Sequence, residues 1–139
     1  MAWSPATGRH TSENAGSAPL HIIAIELKNP APAVAPVGKP ELDPVAIDPE
    51  HNILLFANGQ VRVFRSWREP GGSEAMHQHL GAGHAPVMLT PIDAKVKWMG
   101  GTTNALRGSA GEVFWGGPLT HTSKNWGPAK YEMVVVEVK

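Results

Sequence analysis

The chain contains no cysteine. That single absence excludes disulfides, thiolate catalysis and cysteine-ligated metal sites, and it leaves the redox compartment open. An excess of charge of one sign is also missing, because 12 Lys and Arg balance 12 Asp and Glu. With no basic stripe or charge block, neither nucleic acid nor an anionic membrane is expected as a partner. No apolar run is long enough to span a bilayer. Met1 to Asn14 is polar and lacks the apolar centre of a secretory leader, so the expected location is cytoplasmic. No Ser, His and Asp arrangement, phosphate-cradling glycine loop before a helix, or paired-carboxylate site can be argued from the order of residues.

What is present points to strands. The 139 residues suit one domain with a sizeable core. Gly and Pro, at 15 and 13, cut the chain into short segments that favour strands and turns over long helices.

The chain also repeats itself. Residues 10–28 read HTSENAGSAPLHIIAIELK and residues 121–139 read HTSKNWGPAKYEMVVVEVK, identical at 8 of 19 positions without a gap. Chance at average composition gives roughly one. The identical pairs include His10 with His121, Asn14 with Asn125 and Glu26 with Glu137. Residues 1–28 therefore read as a strand pair from the end of one unit, followed by a whole second unit. Two strands cannot bury a core alone, so this segment is expected to dock on something. Residues 29–44 carry five prolines, from Pro30 to Pro44, and read as an extended polyproline-type linker.

Residues 45–139 read as about nine short strands. Asn52–Phe56 and Val61–Trp67 flank Asn58-Gly59, a hairpin-turn signal. Pro70-Gly71-Gly72 turns the chain into a strand expected over Glu74–His79. Further strands are expected at Val87–Thr90, Lys95–Trp98, Thr102–Leu106, Glu112–Trp115, Thr120–Asn125 and Glu132–Val138. No helix is convincing. The fold class that follows is all-β, a sandwich or barrel.

The chemistry starts at His77-Gln78-His79. On a strand, positions i and i+2 share a face, roughly 6.6 Å apart along the chain. Two imidazoles on one face can converge on one ion. His121 lies on a later strand, and Asn125 shares its parity. Three histidines from two strands leave coordination positions open for water or substrate.

These residues resemble the two motifs of the cupins. The first motif reads Gly, five residues, His-x-His, three or four residues, Glu, six residues, Gly; Gly71, His77 and His79 match it. The second reads Gly, five residues, Pro-x-Gly, two residues, His, three residues, Asn; Gly111, His121 and Asn125 match it. The likeness covers about residues 45–139, with residues 1–28 similar to the end of a second cupin, as in a bicupin. It implies an antiparallel jelly-roll β-barrel, RmlC-like, with a divalent metal ion such as Fe, Mn, Ni or Zn. A small organic ligand or substrate and a homodimer are also implied. Dioxygenase-type chemistry is the leading expectation. Isomerase-type chemistry and a non-catalytic ligand-binding or interaction barrel are the alternatives.

Two departures bear on the site. The glutamate of the first motif is replaced by His84, either a fourth metal ligand beside His77, His79 and His121 or an unattached histidine in a flexible loop. Gly116-Gly117-Pro118 stands where Pro-x-Gly is expected, keeping turn chemistry in another order. Losing the carboxylate removes a negative charge from the ligand set and shifts metal preference. His10 reads as a relic or as half of a site completed elsewhere, His21 as structural and His51 as exposed. Glu74 and Met76, out of phase with His77, are expected to face outward. Met88, Trp98, Phe114 and Trp115 read first as core and second as walls of a pocket for an apolar ligand.

Overall fold

Where the proline-rich stretch ends, the backbone turns helical before it becomes extended. The computed structural model describes residues 2–5, 8–28, 40–79 and 81–139. Pro40–Leu42 forms a 3-10 turn and Pro44–Ile47 a single helical turn, α1. Asp43 caps α1 by accepting from the backbone N–H groups of Val45, at 2.8 Å, and Ala46, at 3.3 Å. Pro44, at the first helical position, has no N–H to leave unpaired. The end of the expected linker is thus helical, and residues 29–39 lie outside the described residues.

Eight strands follow: β1 Asn52–Ala57, β2 Val61–Arg68, β3 His77–His79, β4 Gly83–Met88, β5 Ile92–Trp98, β6 Thr103–Gly108, β7 Leu119–Asn125 and β8 Tyr131–Val138. They form two four-stranded sheets, ordered β1-β2-β8-β4 and β3-β7-β5-β6, with every pairing antiparallel. This is the expected all-β architecture. The β1–β2 turn is built as its sequence suggests: Asn58 Oδ1 accepts from the N–H groups of Gln60 and Val61, closing the hairpin.

Along its strand β2 the first sheet packs on both faces, whereas edge strand β1 is largely exposed. Along β2, Phe64 and Ser66 look inward, while Val61 and Val63 join Val136 in a cluster on the outer side. Leu27 of the N-terminal segment packs on that cluster, and Trp3 stacks on Phe56 with ring centroids 6.0 Å apart. The inner core gathers Met88, Ile92, Ala94 and Tyr131 from β4, β5 and β8.

Three expectations need correction. Residues 8–28 hold no strand; the segment docks through side chains on the outer face of the first sheet instead of by a hydrogen-bonded ladder. Strand pattern alone does not make a strand, because a ladder needs a partner edge. Glu112–Trp115 contributes only an isolated bridge, Val87 to Val113. The strand expected from Glu74 begins at His77, because the preceding residues leave the ladder after the bridge between Ser73 and Lys124. No helix among the described residues is long and apolar enough to cross a membrane.

Candidate metal centre

β3 is only three residues long, yet it positions the site. It pairs with β7 in a register that sets His77 directly opposite His121, and β5 sets Trp98 on the other side of His121. His77 and His79 share the inward face, at 1% and 4% exposure. Their Nε2 atoms lie 3.0 Å apart, and His121 Nε2 lies 2.8 Å from that of His77. One nitrogen from each of the three residues falls within 4.8 Å of the others.

Hydrogen bonds on the far side of two rings assign their protons. His77 Nδ1 donates to the Ala75 carbonyl at 3.0 Å, and His79 Nδ1 donates to Glu137 Oε1 at 2.9 Å. Both Nε2 atoms therefore carry lone pairs, and the two lone pairs face each other across 3.0 Å. Neutral nitrogens in that arrangement repel unless a cation sits between them. At a metal–nitrogen bond of about 2.1 Å, two nitrogens 2.8–3.0 Å apart could bind the same ion. The donor set fits a divalent ion that binds imidazole and leaves positions open.

Burial favours the neutral form of His79 and His121. His79 is held well below its ordinary value by loss of solvation, with further push from His84, His77 and Arg62. His121 is lowered to about 2, again by burial first and then by the neighbouring histidines. Neutral imidazole is the form that ligates a metal.

His84 sits on β4, in the other sheet, and not in a loop. Its ring stacks on that of His79, with centroids 3.9 Å apart and planes 10° from parallel. A stacked ring flanks the three converging nitrogens, and His84 is not one of the group of three. Gly116 makes this position possible. Its N–H and C=O bond to the backbone of His84, and a Cβ added there would lie 2.4 Å from His84 Cε1. The departure from Pro-x-Gly thus places a glycine where the ring needs the space.

Two carboxylates near the centre escaped sequence reasoning. Glu137 on β8 is 4% exposed and stands opposite His84 in the β4–β8 register. It accepts from His79 and also from Arg62 Nε at 2.7 Å, while Arg62 continues to Asp43. Burial raises the carboxyl of Glu137, and its bond to Arg62 opposes that rise. Its signal was the repeat, where Glu26 and Glu137 are identical, but nothing in the spacing tied that identity to the histidines. Glu74, expected outside, is buried; it accepts from Arg68 at 2.9 Å and from Ser123 Oγ at 2.8 Å. Strand parity could not place it, because residue 74 precedes β3. Met76, by contrast, is exposed as expected.

The remaining candidates are elsewhere. Asn125 is buried and structural, donating to the carbonyls of Arg68 and Ala129 and accepting from Gly127 N–H. His51 is half-buried against Asp48 at 2.9 Å, not free in solvent. His10 and His21 are exposed and are not part of the histidine group, His21 lining a groove between the N-terminal segment and the first sheet. Trp98, Phe114 and Trp115 line a cavity of about 340 Å³ that opens onto the three histidines, whereas Met88 is core.

This arrangement of two sheets with a histidine cluster between them can be compared with solved structures. A cupin domain from Bordetella pertussis Tohama I superposes with a TM-score of 0.57 at 19% identity, covering 63% of this chain and 91% of that one. The fold is that of a cupin. A double-stranded β-helix protein from Klebsiella pneumoniae matches with a TM-score of 0.53 at 21% identity, covering 64% of this chain and 77% of that one. An RmlC-like cupin from Methanocaldococcus jannaschii matches with a TM-score of 0.50 at 10% identity, covering 63% and 79%. No family model and no curated protein matches the sequence. The likeness therefore speaks to the cupin fold and leaves the chemistry to the site.

Proposed function

We propose that this cupin holds a divalent metal ion on His77, His79 and His121 and uses it on a small organic molecule bound in the adjoining cavity. The observation that carries the reading is the convergence of three Nε2 atoms, two of them deprotonated by the bonds their Nδ1 atoms make. The ion would supply Lewis acidity or bind oxygen. The protein orients His79 through Glu137, favours neutral His79 and His121 by burial, and presents an apolar wall to the ligand.

Dioxygenase-type chemistry is the leading form of this reading and isomerase-type chemistry its alternative. The carboxylates near the ligand space favour that order, since Glu74 is tied to Arg68 and Ser123 and Glu137 to Arg62 and His79. Neither is free to serve as a base for proton abstraction. A non-catalytic ligand-binding barrel is the second reading. It is favoured by His84, which stands where the family's carboxylate ligand is expected. We take the partner to be a small molecule, not nucleic acid or membrane, and the protein to be a cytoplasmic homodimer. The repeat between residues 10–28 and 121–139 supports descent from a bicupin.

Metal content tests the reading. The purified protein is expected to carry close to one divalent ion per chain, and the His77→Ala/His121→Ala variant to lose it. A low metal content that is the same in both proteins would overturn the metal-dependent reading.

A further inference from the structure

The charges around the histidines constrain what can enter, provided that the metal reading holds. Arg62 and Arg68 are the two guanidiniums beside the site, and each is paired with two carboxylates, although Arg62 Nη2 and Arg68 Nε are left without a partner among the described residues. Arg62 pairs with Asp43 and with Glu137, the latter at 2.7 Å. Arg68 pairs with Glu74 at 2.9 Å and Asp48 at 3.1 Å. Glu74 and Glu137, the two buried carboxylates nearest the histidines, are thus each already paired with a guanidinium. Among the described residues, no Lys or Arg lines the cavity.

The walls have the opposite character. Trp98, Phe114 and Trp115 supply three aromatic surfaces, and Val96, Leu106 and Met133 add apolar ones beside neutral polar groups such as Ser66 and Asn104. The Trp98 ring lies 5.4 Å from that of His121, so the aromatic wall begins at the ligand set itself. A volume of about 340 Å³ accommodates a one- or two-ring body. A charged group on the far side of such a body would be stripped of water with no counter-charge to meet it.

We propose that the cavity selects a flat, apolar-bodied ligand carrying a single oxygen donor for the metal, such as a phenol, enol or monocarboxylate, and rejects dianions of the same shape. The metal takes the one donor. The aromatic wall takes the ring. A second carboxylate brings net negative charge into an apolar space whose cations are already paired.

Calorimetric titration of the zinc-loaded protein with three probes isolates these claims. Benzoate carries the ring and one carboxylate, terephthalate adds a second carboxylate on the same ring, and acetate removes the ring. Benzoate is expected to bind at least tenfold more tightly than either of the others. Trp115→Ala removes an exposed wall residue, so folding is not at risk; it should weaken benzoate about three- to tenfold and leave zinc binding unchanged. Terephthalate binding as tightly as benzoate, or acetate as tightly as benzoate, overturns the inference. Failure to take up zinc is a different result, and it defeats the metal reading. In that case the zinc-free protein titrated with neutral p-cresol decides the matter: saturable binding upholds the apolar cavity, and no binding overturns it.

Discussion

Replacing Glu137 with Gln removes one charge and no volume from the most constrained position near the centre. Glu137 accepts two charge-assisted or buried bonds, from His79 Nδ1 at 2.9 Å and from Arg62 Nε at 2.7 Å, at 4% exposure. A glutamine has one accepting oxygen, so its NH₂ group must face one of the two donors. The buried donor left without a partner costs about 1–3 kcal/mol, and the lost charge on the Arg62 bond adds to that. Full loss of a buried ion-pair partner would cost about 3–5 kcal/mol. Here Arg62 keeps Asp43 and the amide keeps one bond, which sets the expectation at about 2–3 kcal/mol. For a chain of this length that lowers Tm on the order of 10 °C. The second consequence separates positioning from packing. His79 loses the acceptor that fixes its proton on Nδ1, so zinc affinity should fall about 10- to 100-fold. Chelator-treated protein gives the stability change by thermal unfolding, and competition against a chromophoric chelator gives the metal affinity. Glu132→Gln is the control, because Glu132 lies on the same strand but pairs with the solvent-exposed Arg65; it should move neither measurement appreciably. A Glu137→Gln variant with zinc affinity within twofold of the parent would refute the orienting role, whatever its Tm.

The metal-free protein should lose stability as the pH falls below about 6.5. His79 and His121 are lowered in the fold, the latter to about 2, so between those values the unfolded chain binds protons that the folded chain does not. Stability then rises with pH, by at most about 1.4 kcal/mol per pH unit for each such histidine. Glu137, raised by burial, acts in the opposite sense above 4.5 and reduces the slope. A urea midpoint that is the same at pH 5 and pH 7 would contradict this. Gly116→Ala places a Cβ 2.4 Å from His84 Cε1, and that ring has His79 stacked 3.9 Å away. A loss of about 1–3 kcal/mol is predicted, and an unchanged chemical-denaturation midpoint would count against the close approach. The N-terminal segment exposes Ile22 and Ile25 and edge strand β1 exposes Ile53 and Leu54, and we predict that a second copy of the chain covers these apolar side chains. Sedimentation should report a dimer, and Ile22→Lys/Ile25→Lys a monomer; a monomeric parent chain would end that prediction.

The parts of the fold legible in the sequence are those decided locally. Asn58-Gly59 lies between β1 and β2 because the Asn58 side chain closes the turn on its own neighbours. Met99-Gly100-Gly101 turns the chain from β5 to β6, with Gly101 N–H donating to Trp98 O. His77 and His79 point the same way because a strand alternates, and that needed no knowledge of the partner strand. What depended on distant residues was not legible. Residues 20–27 carry the same apolar pattern as β8, yet only residues 131–138 find a place between β2 and β4. Glu74 looked external by parity, but the pairing of Arg68 and Ser123 with its carboxylate draws it inside. Such contacts join residues far apart in sequence, and no periodicity encodes them.

The same distinction explains the carboxylate that the first motif lacks. Reading along the chain, His84 looks like a loss of negative charge from the site. Reading across the sheet, the β4–β8 register puts Glu137 directly opposite His84, so a carboxylate reaches the centre from another strand. It arrives behind His79 and not among the converging nitrogens, bonded to Nδ1 and held by Arg62. The three histidines drawn together in the fold therefore have no carboxylate among them, and the nearest negative charge lies one bond further out. An ion held this way keeps more of its own positive charge for a ligand than one bound directly by a carboxylate. That charge, facing an aromatic wall that among the described residues includes no Lys or Arg, would suit a single anionic donor on an apolar body. Restoring a glutamate at position 84 would set it opposite Glu137 and bring two carboxylates together in a buried space, where one of them must take up a proton. The histidine at 84 and the glutamate at 137 are thus coupled, and neither can be read as a simple gain or loss without the other.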